Sequence, residues 1–430
     1  MRTALARRTA LLAGVALLLG PVAACGSDSS GSGGSKADEK ITLTLNLFGD
    51  FGYKDLYAQY QQAHPNITIK ENVTDYGTHH KNLQAHLIAG SGTADLEAIE
   101  IGQVAGFTAQ APKLVDYNTQ GVDKNQWPEW RWKAASSADG KQLFGVATDM
   151  GGLGLCYRSD MFAAAGLPTK RDDVSKLLAS WDDYFTAGKQ FVSKYPDKNV
   201  KWFDSASNVY NAILAQAPKA SYDESGNVIV ATNTDLKKAW DLTVGGVQSG
   251  QSAGIAAFTP AWNTGFAKGQ FATVTCPAWM MAEIKTNAPD TKGKWDMARI
   301  PGTGGGNWGG SYLTVPKSGK HTKEAVELAK WLTAPEQEEW LFKNKGNFPA
   351  DQVLWDRPDI QNYTDPFFTD APVGKIFSDS AKNLKPQPYG PHSGDIGNAV
   401  GNALVSIEQG KAKPDEAWNK ALADIKNISA

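Results

Sequence analysis

The chain has 430 residues, of which 41% are hydrophobic and 20% are charged, so it is too long for one compact domain and too apolar to be disordered. Its 43 Lys and Arg residues against 45 Asp and Glu residues leave a formal net charge of -2. Without a basic excess, nucleic acid is not an expected partner. The 14 Trp, 13 Tyr and 16 Phe residues supply more aromatic surface than a core requires, so some rings are expected to contact a ligand.

Residues 1–24 have the features of a signal peptide. Three arginines precede an apolar run at residues 11–19, and small residues lead up to Cys25. The run is too short to span a hydrocarbon core of ~30 Å as a permanent helix. The tripeptide before Cys25 resembles the lipobox of bacterial lipoproteins, which implies cleavage before Cys25 and lipidation of its sulfur. The alternative is that Cys25 is an ordinary residue near a secretory cleavage site.

Residues 25–40 are predicted to be a lipidated cysteine followed by a flexible tether, because they are rich in Ser, Gly and Asp. No later segment reaches ~18 consecutive apolar residues, so the lipid alone is expected to hold the protein at the membrane. Export also places the remaining two cysteines, Cys156 and Cys276, in an oxidising compartment. We expect them to form a disulfide; the alternative is two separately buried thiols.

The first part of the folded body alternates predicted strands and helices. Residues 41–48 and 67–73 alternate apolar and polar side chains, which is typical of strands, and residues 53–63 between them have helical spacing. A second helix is predicted at 78–89 and a buried strand at 96–101. This order indicates an α/β sheet that is covered on both faces.

The Gly-rich apolar stretch at residues 144–156 is predicted to leave one body and enter another, and 346–350 to return the chain to the second body. Further helices are predicted at 161–166, 181–194, 208–216, 234–249, 260–268, 322–332 and 335–345, with strands at 271–276, 295–301 and 311–315. A chain that crosses several times between two α/β lobes forms a cleft, and such clefts are preferred sites for small ligands.

Several motifs recur in the order and spacing of a known family. They are FGDFGY at 48–53, YQQAHPNI at 60–67, AGSGTAD at 89–95, GLGLCYRSDMFAAAGLP at 152–168, FAKGQ at 266–270, CPAW at 276–279 and WGGS at 308–311. Together with the lipobox, they resemble the extracellular solute-binding proteins of bacterial sugar ABC transporters, over essentially all of residues 41–430. Within that family the chain is most similar to actinobacterial binders of oligosaccharides, particularly cello-oligosaccharides.

The resemblance implies an α/β, two-lobe fold like that of periplasmic binding proteins, with the ligand cleft between the lobes and several hinge crossings. Lobe 1 would comprise residues 41–148 and 300–345, and lobe 2 residues 149–299 and 346–430. It also implies a monomeric, non-catalytic protein without cofactor or metal, lipid-anchored on the extracellular face of the cell membrane, with an oligosaccharide ligand and membrane permease subunits as partners.

Aromatic rings are the first candidates for ligand contact, because sugar rings present apolar C–H faces. Trp279 follows a Cys-Pro pair and Trp308 lies within a Gly-rich segment, and in the family the tryptophans at these motifs stack on sugar. Core packing is the alternative for both. Trp262 is a third candidate, with an ordinary early-helix position as its alternative. The cluster of Trp127, Trp130 and Trp132 is interpreted as packing, with the last two on one strand face.

Polar candidates follow from the rule that open α/β sheets place ligands beyond the carboxyl ends of their strands. We select Asp50 after the first strand, Glu100 at the end of another strand and Asp149 at the predicted crossing. The alternatives for each are an exposed loop carboxylate or a helix cap. Further candidates near these segments are Tyr53, Tyr76, Gln103, Asn307, Ser311 and His392.

Three motifs suggest other chemistry without its structural context. Ser252 lies in a Gly-x-Ser-x-Gly pattern, but a helix ends there instead of beginning. The glycines at 304–309 precede a strand, whereas a dinucleotide site needs a helix. His79, His80 and His86 lack a supporting Cys cluster, and we interpret them as a polar helix face. Paired carboxylates for glycoside hydrolysis stay open, so a surface-anchored carbohydrate-active enzyme is the alternative function.

Overall fold

A computed structural model describes residues 40–429, which form two mixed β-sheets surrounded by helices. The strands are β1 (Ile41–Leu47), β2 (Ile67–Val73), β3 (Leu96–Glu100), β4 (Val146–Ala147), β5 (Leu153–Arg158), β6 (Lys201–Phe203), β7 (Phe271–Pro277), β8 (Trp295–Arg299) and β9 (Ser311–Thr314). The predicted signal peptide, the predicted lipidation site at Cys25 and most of the predicted tether lie outside the described residues.

Helices connect these strands and follow the last one. They are α1 (Lys54–Ala63), α2 (Tyr76–Ala89), α3 (Ile101–Val104), α4 (Glu129–Ala134), α5 (Ser159–Ala164), α6 (Arg171–Leu177), α7 (Trp181–Lys194), α8 (Ala206–Leu214), α9 (Thr234–Gln248), α10 (Pro260–Lys268), α11 (Met280–Asn287), α12 (Thr322–Leu332), α13 (Pro335–Lys345), α14 (Pro358–Gln361), α15 (Val373–Lys382), α16 (Ser393–Glu408) and α17 (Pro414–Ile428). In residues 40–429, none of them is both long and apolar enough to cross a membrane.

The first sheet has the strand order β2-β1-β3-β9-β4. Its β1 is parallel to β2 and β3, whereas β9 runs antiparallel to both of its neighbours. Leu43, Leu45 and Leu47 alternate with more exposed residues along β1 and are fully buried. This period of two, which the sequence shows directly, places the leucines on the core face of the sheet.

The second sheet has the strand order β6-β7-β5-β8. Every residue of β5 and β7 is buried, as expected for strands covered on both faces. These two strands are antiparallel, and a disulfide joins Cys156 to Cys276 with their Cα atoms 5.5 Å apart. The bond therefore ties the two central strands of this sheet together.

Two connections run between the sheets, and we call them the crossing segments. Residues 148–152 lead from β4 to β5, and residues 300–310 lead from β8 back to β9. The backbone N–H of Trp308 donates to the carbonyl of Gly151 at 2.9 Å. A Cβ on Gly151 would lie only 1.9 Å from the backbone carbonyl oxygen of Trp308, so only glycine allows the two segments to approach this closely.

The expected strand face around Trp130 and Trp132 is wrong, because these residues lie in α4. Pro128 precedes the helix, and Glu129 in its first turn forms an ion pair with Lys133 at 2.7 Å. Both features favour a helix, since proline is tolerated at the start and an i,i+4 pair of this polarity stabilises the turn. The cluster does pack against the core, with Trp127 1% exposed and the other two rings half-buried.

Candidate functional site

Glu100, the last residue of β3, is the centre of a polar cluster. Its Oε2 accepts from the Tyr76 hydroxyl at 3.0 Å and from the backbone N–H of Gly102 at 2.6 Å. The carboxylate thus caps α3 and also holds a phenol at the start of α2. Burial raises the pKa of Glu100 to about 7, although the hydrogen bond from Tyr76 opposes the shift. Gln103, in α3, lies close enough to hydrogen-bond with the Tyr76 hydroxyl.

The start of α2 is attached to β3 by two buried histidines, so the expected polar helix face is wrong for His79 and His80, whereas His86 is half-buried. His79 and His80 are 4% and 5% exposed. His79 Nε2 lies 2.6 Å from the carbonyl of Ala98, whereas His80 Nε2 lies 3.1 Å from the backbone N–H of Glu100. His80 Nδ1 lies 2.7 Å from the carbonyl of Tyr76. The helix could be predicted from the periodicity of its sequence. The burial of His79 and His80 could not, because their backbone partners in β3 come close only in the folded chain.

These contacts determine the protonation of both rings. Because a backbone N–H can only donate, His80 Nε2 must be an unprotonated acceptor, and its proton lies on Nδ1. His79 must donate from Nε2, because a carbonyl can only accept. Burial lowers the pKa of His79 and lowers that of His80 to about 4, which keeps both rings neutral near pH 7. His80 therefore holds the backbones of Tyr76 and Glu100 while their side chains bond to each other.

Asp149 lies in the first crossing segment and contacts the start of β9. Its Oδ1 accepts from the Thr148 hydroxyl at 2.7 Å and from the backbone N–H of Ser311 at 3.1 Å. Burial raises the pKa of Asp149, and these hydrogen bonds oppose the shift. The sequence singled out Asp149 at a predicted crossing and Ser311 as a candidate near it, but it did not indicate that they bond to each other.

Trp279 and Trp308 form a corner of two rings. Their centroids are 5.4 Å apart with an interplanar angle of 74°, and Trp279 Nε1 donates to the carbonyl of Trp308 at 3.0 Å. Both side chains are half-buried. Phe258 lies 5.9 Å from Trp279, is 60% exposed and has a positive φ of 62°. Sequence reasoning missed Phe258, because an isolated loop phenylalanine carries no periodic signal.

Trp262 has a different environment from the other two candidate tryptophans. It is fully buried, and its Nε1 donates to Asp204 Oδ2 at 2.7 Å. Its ring packs against Phe258 and Phe266, with centroid distances of 5.2 and 4.6 Å. In this conformation Trp262 supports the exposed ring of Phe258 and presents no face of its own.

The remaining candidates have mixed environments. Asn307 bonds across the crossing segments, accepting from the backbone N–H of Gly151 at 2.9 Å. Tyr53 is 1% exposed, close enough to Asp149 for that carboxylate to be among the causes that raise its pKa, after burial. Asp50 is exposed and accepts from the backbone N–H of Gly52 at 2.8 Å, as a loop carboxylate does.

The C-terminal part of the chain also reaches the cluster. His392 precedes α16, and a Cβ on Gly394 would lie 2.0 Å from Gln103 Nε2, so α16 begins against α3. A cavity of about 10 Å³, roughly enough for one water molecule, lies next to Asn307 and is lined mostly by the segment between α15 and α16. Trp130 and Tyr389 are among its lining residues, and the sequence indicated neither as a site residue.

The arrangement provides flat rings and hydrogen-bonding groups, and it lacks the geometry of a serine nucleophile. Ser252 donates to Glu408, and its hydroxyl oxygen accepts from the backbone N–H of Gly254. The partner of Ser252 is therefore a carboxylate, and not the histidine of a Ser-His-Asp triad. Within residues 40–429, no group of three or more His, Cys, Asp or Glu side chains is placed to hold a metal ion.

Comparison with known families identifies the chain. Residues 55–369 match the profile of the bacterial extracellular solute-binding proteins. The chain belongs to this family. This match confirms the expectation from the sequence motifs that the chain is a bacterial extracellular solute-binding protein. It is consistent with a location outside the cell or on the periplasmic side of the membrane.

Individual relatives of this solute-binding protein cover nearly its whole length. A crystal structure of an extracellular solute-binding protein of family 1 shares 41% identity, with a TM-score of 0.78, over 91% of this chain and 100% of the other. The arabinooligosaccharide-binding protein of Bacillus subtilis is 24% identical over 94% of this chain and 95% of its own. An ABC transporter-associated protein of B. animalis subsp. lactis, in complex with beta-1,6-galactobiose, has 19% identity and a TM-score of 0.76, covering 91% and 97%. These likenesses confirm the α/β, two-lobe fold.

Proposed function

We propose that this solute-binding protein captures an oligosaccharide and delivers it, unchanged, to the permease of an ABC importer. The observation that carries the proposal is the ring corner of Trp279 and Trp308, which are partly exposed at 74° to each other, with Trp308 in the second crossing segment. Two rings at such an angle can cover the C–H faces of two consecutive sugar units that are twisted relative to each other. Relatives that bind an arabinooligosaccharide and a galactobiose support the ligand class.

The polar cluster supplies the second half of sugar recognition. Glu100 and Asp149 provide acceptors for hydroxyl groups, and Tyr76 and Gln103 provide groups that can both donate and accept. Because Glu100 is buried with a pKa of about 7, its protonated form also donates near neutral pH. Uncharged sugar hydroxyls suit such a site, since each can pair with a donor and with an acceptor.

We infer that the ligand is a cello-oligosaccharide or a related β-linked sugar. The substituents of β-linked glucose lie around the ring edge, which leaves both faces apolar and suits stacking on flat rings. The other site candidates, Tyr53, Trp262, Asn307, Ser311 and His392, are proposed as contacts or as supports of contacts. Asp50 is proposed as a contact from the loop after β1.

The proposal extends to the cellular arrangement. The protein would be a monomer that is anchored by lipidated Cys25 on the extracellular face of the cell membrane and held by the tether of residues 25–40. Residues 41–148 and 300–345 would move as one lobe, and residues 149–299 and 346–430 as the other. Movement of the lobes would open and close the cleft around the sugar.

A calorimetric screen tests ligand class and chemistry together. Purified protein is titrated with cello-, xylo-, malto- and arabino-oligosaccharides, and each mixture is then separated by chromatography. We expect saturable binding of one β-linked series and recovery of intact sugar. Absence of binding to all four series would contradict the proposed function, and shortened products would favour the alternative of a surface-anchored carbohydrate-active enzyme.

A further inference from the structure

Arg131 is an arginine in α4 that is wholly removed from solvent and that bonds to backbone carbonyls. It is 0% exposed. Its Nη2 donates to the carbonyl of Asp149 at 2.7 Å and to the carbonyl of Ser311 at 3.1 Å. Asp149 lies in the first crossing segment, and Ser311 directly follows the second. One nitrogen therefore links the two segments where both meet the first sheet.

The guanidinium is held in this position by the neighbouring strand. It lies over the ring of Tyr312 in β9, with 4.4 Å between the guanidinium carbon and the ring centroid. The Tyr312 hydroxyl donates in turn to the backbone carbonyl of Arg131 at 2.8 Å. A planar cation that stacks and donates within its plane suits this position, and a lysine ammonium cannot do both.

Arg131 adds a side-chain link to a short set of backbone contacts. The backbone N–H of Thr148 donates to the carbonyl of Ser311 at 2.9 Å, so this carbonyl accepts from two donors. At the other end of the crossing segments, Gly151 and Trp308 are joined through their backbones at 2.9 Å. Loss of the arginine would leave the first end with this backbone contact and with the bond from the Ser311 N–H to Asp149 Oδ1.

The surroundings of Arg131 are acidic. The charge of Arg131 lowers the pKa of Glu100, of Asp149 and of the buried Glu338, although burial is the larger effect and raises all three. Its Nε and Nη1 have no hydrogen-bond partner within residues 40–429. The cation is thus placed by two carbonyls and a ring, while its field reaches the carboxyl groups of the candidate site.

We propose that Arg131 is a positioning residue that fixes the two crossing segments against each other and so sets the geometry of Asp149 and Trp308. We call the two bonds from Arg131 Nη2 to the carbonyls of Asp149 and Ser311 the clamp. The clamp follows from the contacts of the described chain, whereas its effect on ligand binding rests on the proposed function. The sequence assigned this residue no role, because the neighbouring tryptophans dominated the pattern.

Hydrogen exchange of the sugar-free protein tests the clamp directly. The variants are R131K, which keeps the charge, and R131M, which removes it with little change in length. The matched control is R158M. Arg158 is 6% exposed, bonds to Asp160 at 2.6 Å and lies over a tryptophan at 5.7 Å, but it lies at the end of β5 away from the crossing segments.

We expect amide exchange in peptides covering residues 145–152 and 305–312 to accelerate about tenfold or more in both Arg131 variants. In R158M these peptides should exchange at the wild-type rate, while peptides near residues 156–160 exchange faster. If R131M does not fold, R131K alone decides. Wild-type exchange rates in the crossing segments of folded R131K would overturn the proposal.

Sugar titration separates this inference from the proposed function. If the wild-type protein binds a sugar, we expect R131K to lose about tenfold in affinity and R158M to retain wild-type affinity at a comparable melting temperature. An equal loss in both variants would overturn the coupling of Arg131 to the site. If the wild-type protein binds no sugar while exchange still accelerates in R131K, the clamp stands and the proposed function fails.

Discussion

Replacing Trp279 with Ala should weaken sugar binding with little loss of stability. The partly exposed ring leaves at most roughly 70 Å² for a sugar to cover, taken as about a third of the ~200 Å² that a large aromatic side chain buries. At about 25 cal/mol per Å², this is worth at most about 1.8 kcal/mol. The dissociation constant should therefore rise by up to roughly 20-fold, since each 1.4 kcal/mol is a factor of ten.

Trp262→Ala is the matched control, because Phe258 contacts both tryptophans. Trp262 is fully buried and has no free face for a sugar. Its truncation should cost about 3–5 kcal/mol of stability through the lost apolar burial and the cavity together. It would also remove one hydrogen-bond donor to Asp204, whose pKa burial already raises to about 6, and leave Asn208 as the other side-chain donor.

Calorimetric titration and thermal unfolding of both variants form the assay. We expect W279A to lose affinity at a nearly normal melting temperature, and W262A to lose melting temperature first. If W279A binds sugar with wild-type affinity and unfolds as early as W262A, then Trp279 is a core residue. The reasoning from the ring corner would then be wrong.

Three further predictions address the disulfide, closure and pH. A thiol assay on the denatured, unreduced mature chain should detect neither Cys156 nor Cys276, and two reactive thiols would refute the disulfide. Replacing both cysteines with Ser should lower the free energy of unfolding by about 4–5 kcal/mol, because the bond closes a loop of 120 residues. Saturating sugar should reduce the radius of gyration in small-angle scattering, and identical profiles would count against lobe closure. Burial raises the pKa of Glu97 to about 7, so its contribution to stability is complete below the unfolded pKa of about 4.5 and is lost as pH rises through 7. Glu97→Gln should flatten that loss, which is at most about 3 kcal/mol, and an unchanged pH profile of unfolding would contradict the assignment.

The regular elements could be predicted from the sequence wherever one periodicity dominated. The bounds of α7 and β2 agree with the expected ranges, because apolar residues repeat there at a single spacing. The prediction of a strand at residues 127–132 was wrong because two periodicities compete there. Tryptophans two residues apart suggest a strand, whereas the pairing of Glu129 with Lys133, which favours a helix, was overlooked.

Only part of the candidate site could be predicted from the sequence. Strand ends and Gly-rich segments indicated Glu100, Asp149 and Trp308, because local sequence reports where a strand stops. The contribution of Arg131 could not be predicted, since its partners are backbone carbonyls far along the chain. Which tryptophan keeps an exposed face is also a tertiary property, and one residue type occurs here in both environments.

The two adjacent histidines of α2 give its contact with β3 a direction. His79 needs a carbonyl opposite it and His80 needs an N–H, and the backbone of β3 offers these at Ala98 and Glu100. Sliding the helix along the strand by the length of one residue would set the donor of His79 against an N–H and the acceptor of His80 against a carbonyl. Acid would have the same effect, because protonation of His80 below about pH 4 turns its acceptor into a second donor facing Glu100. The imidazole pair therefore fixes the position of α2 along β3. Protonation of His80 at low pH should weaken this attachment and with it the contact between Tyr76 and Glu100.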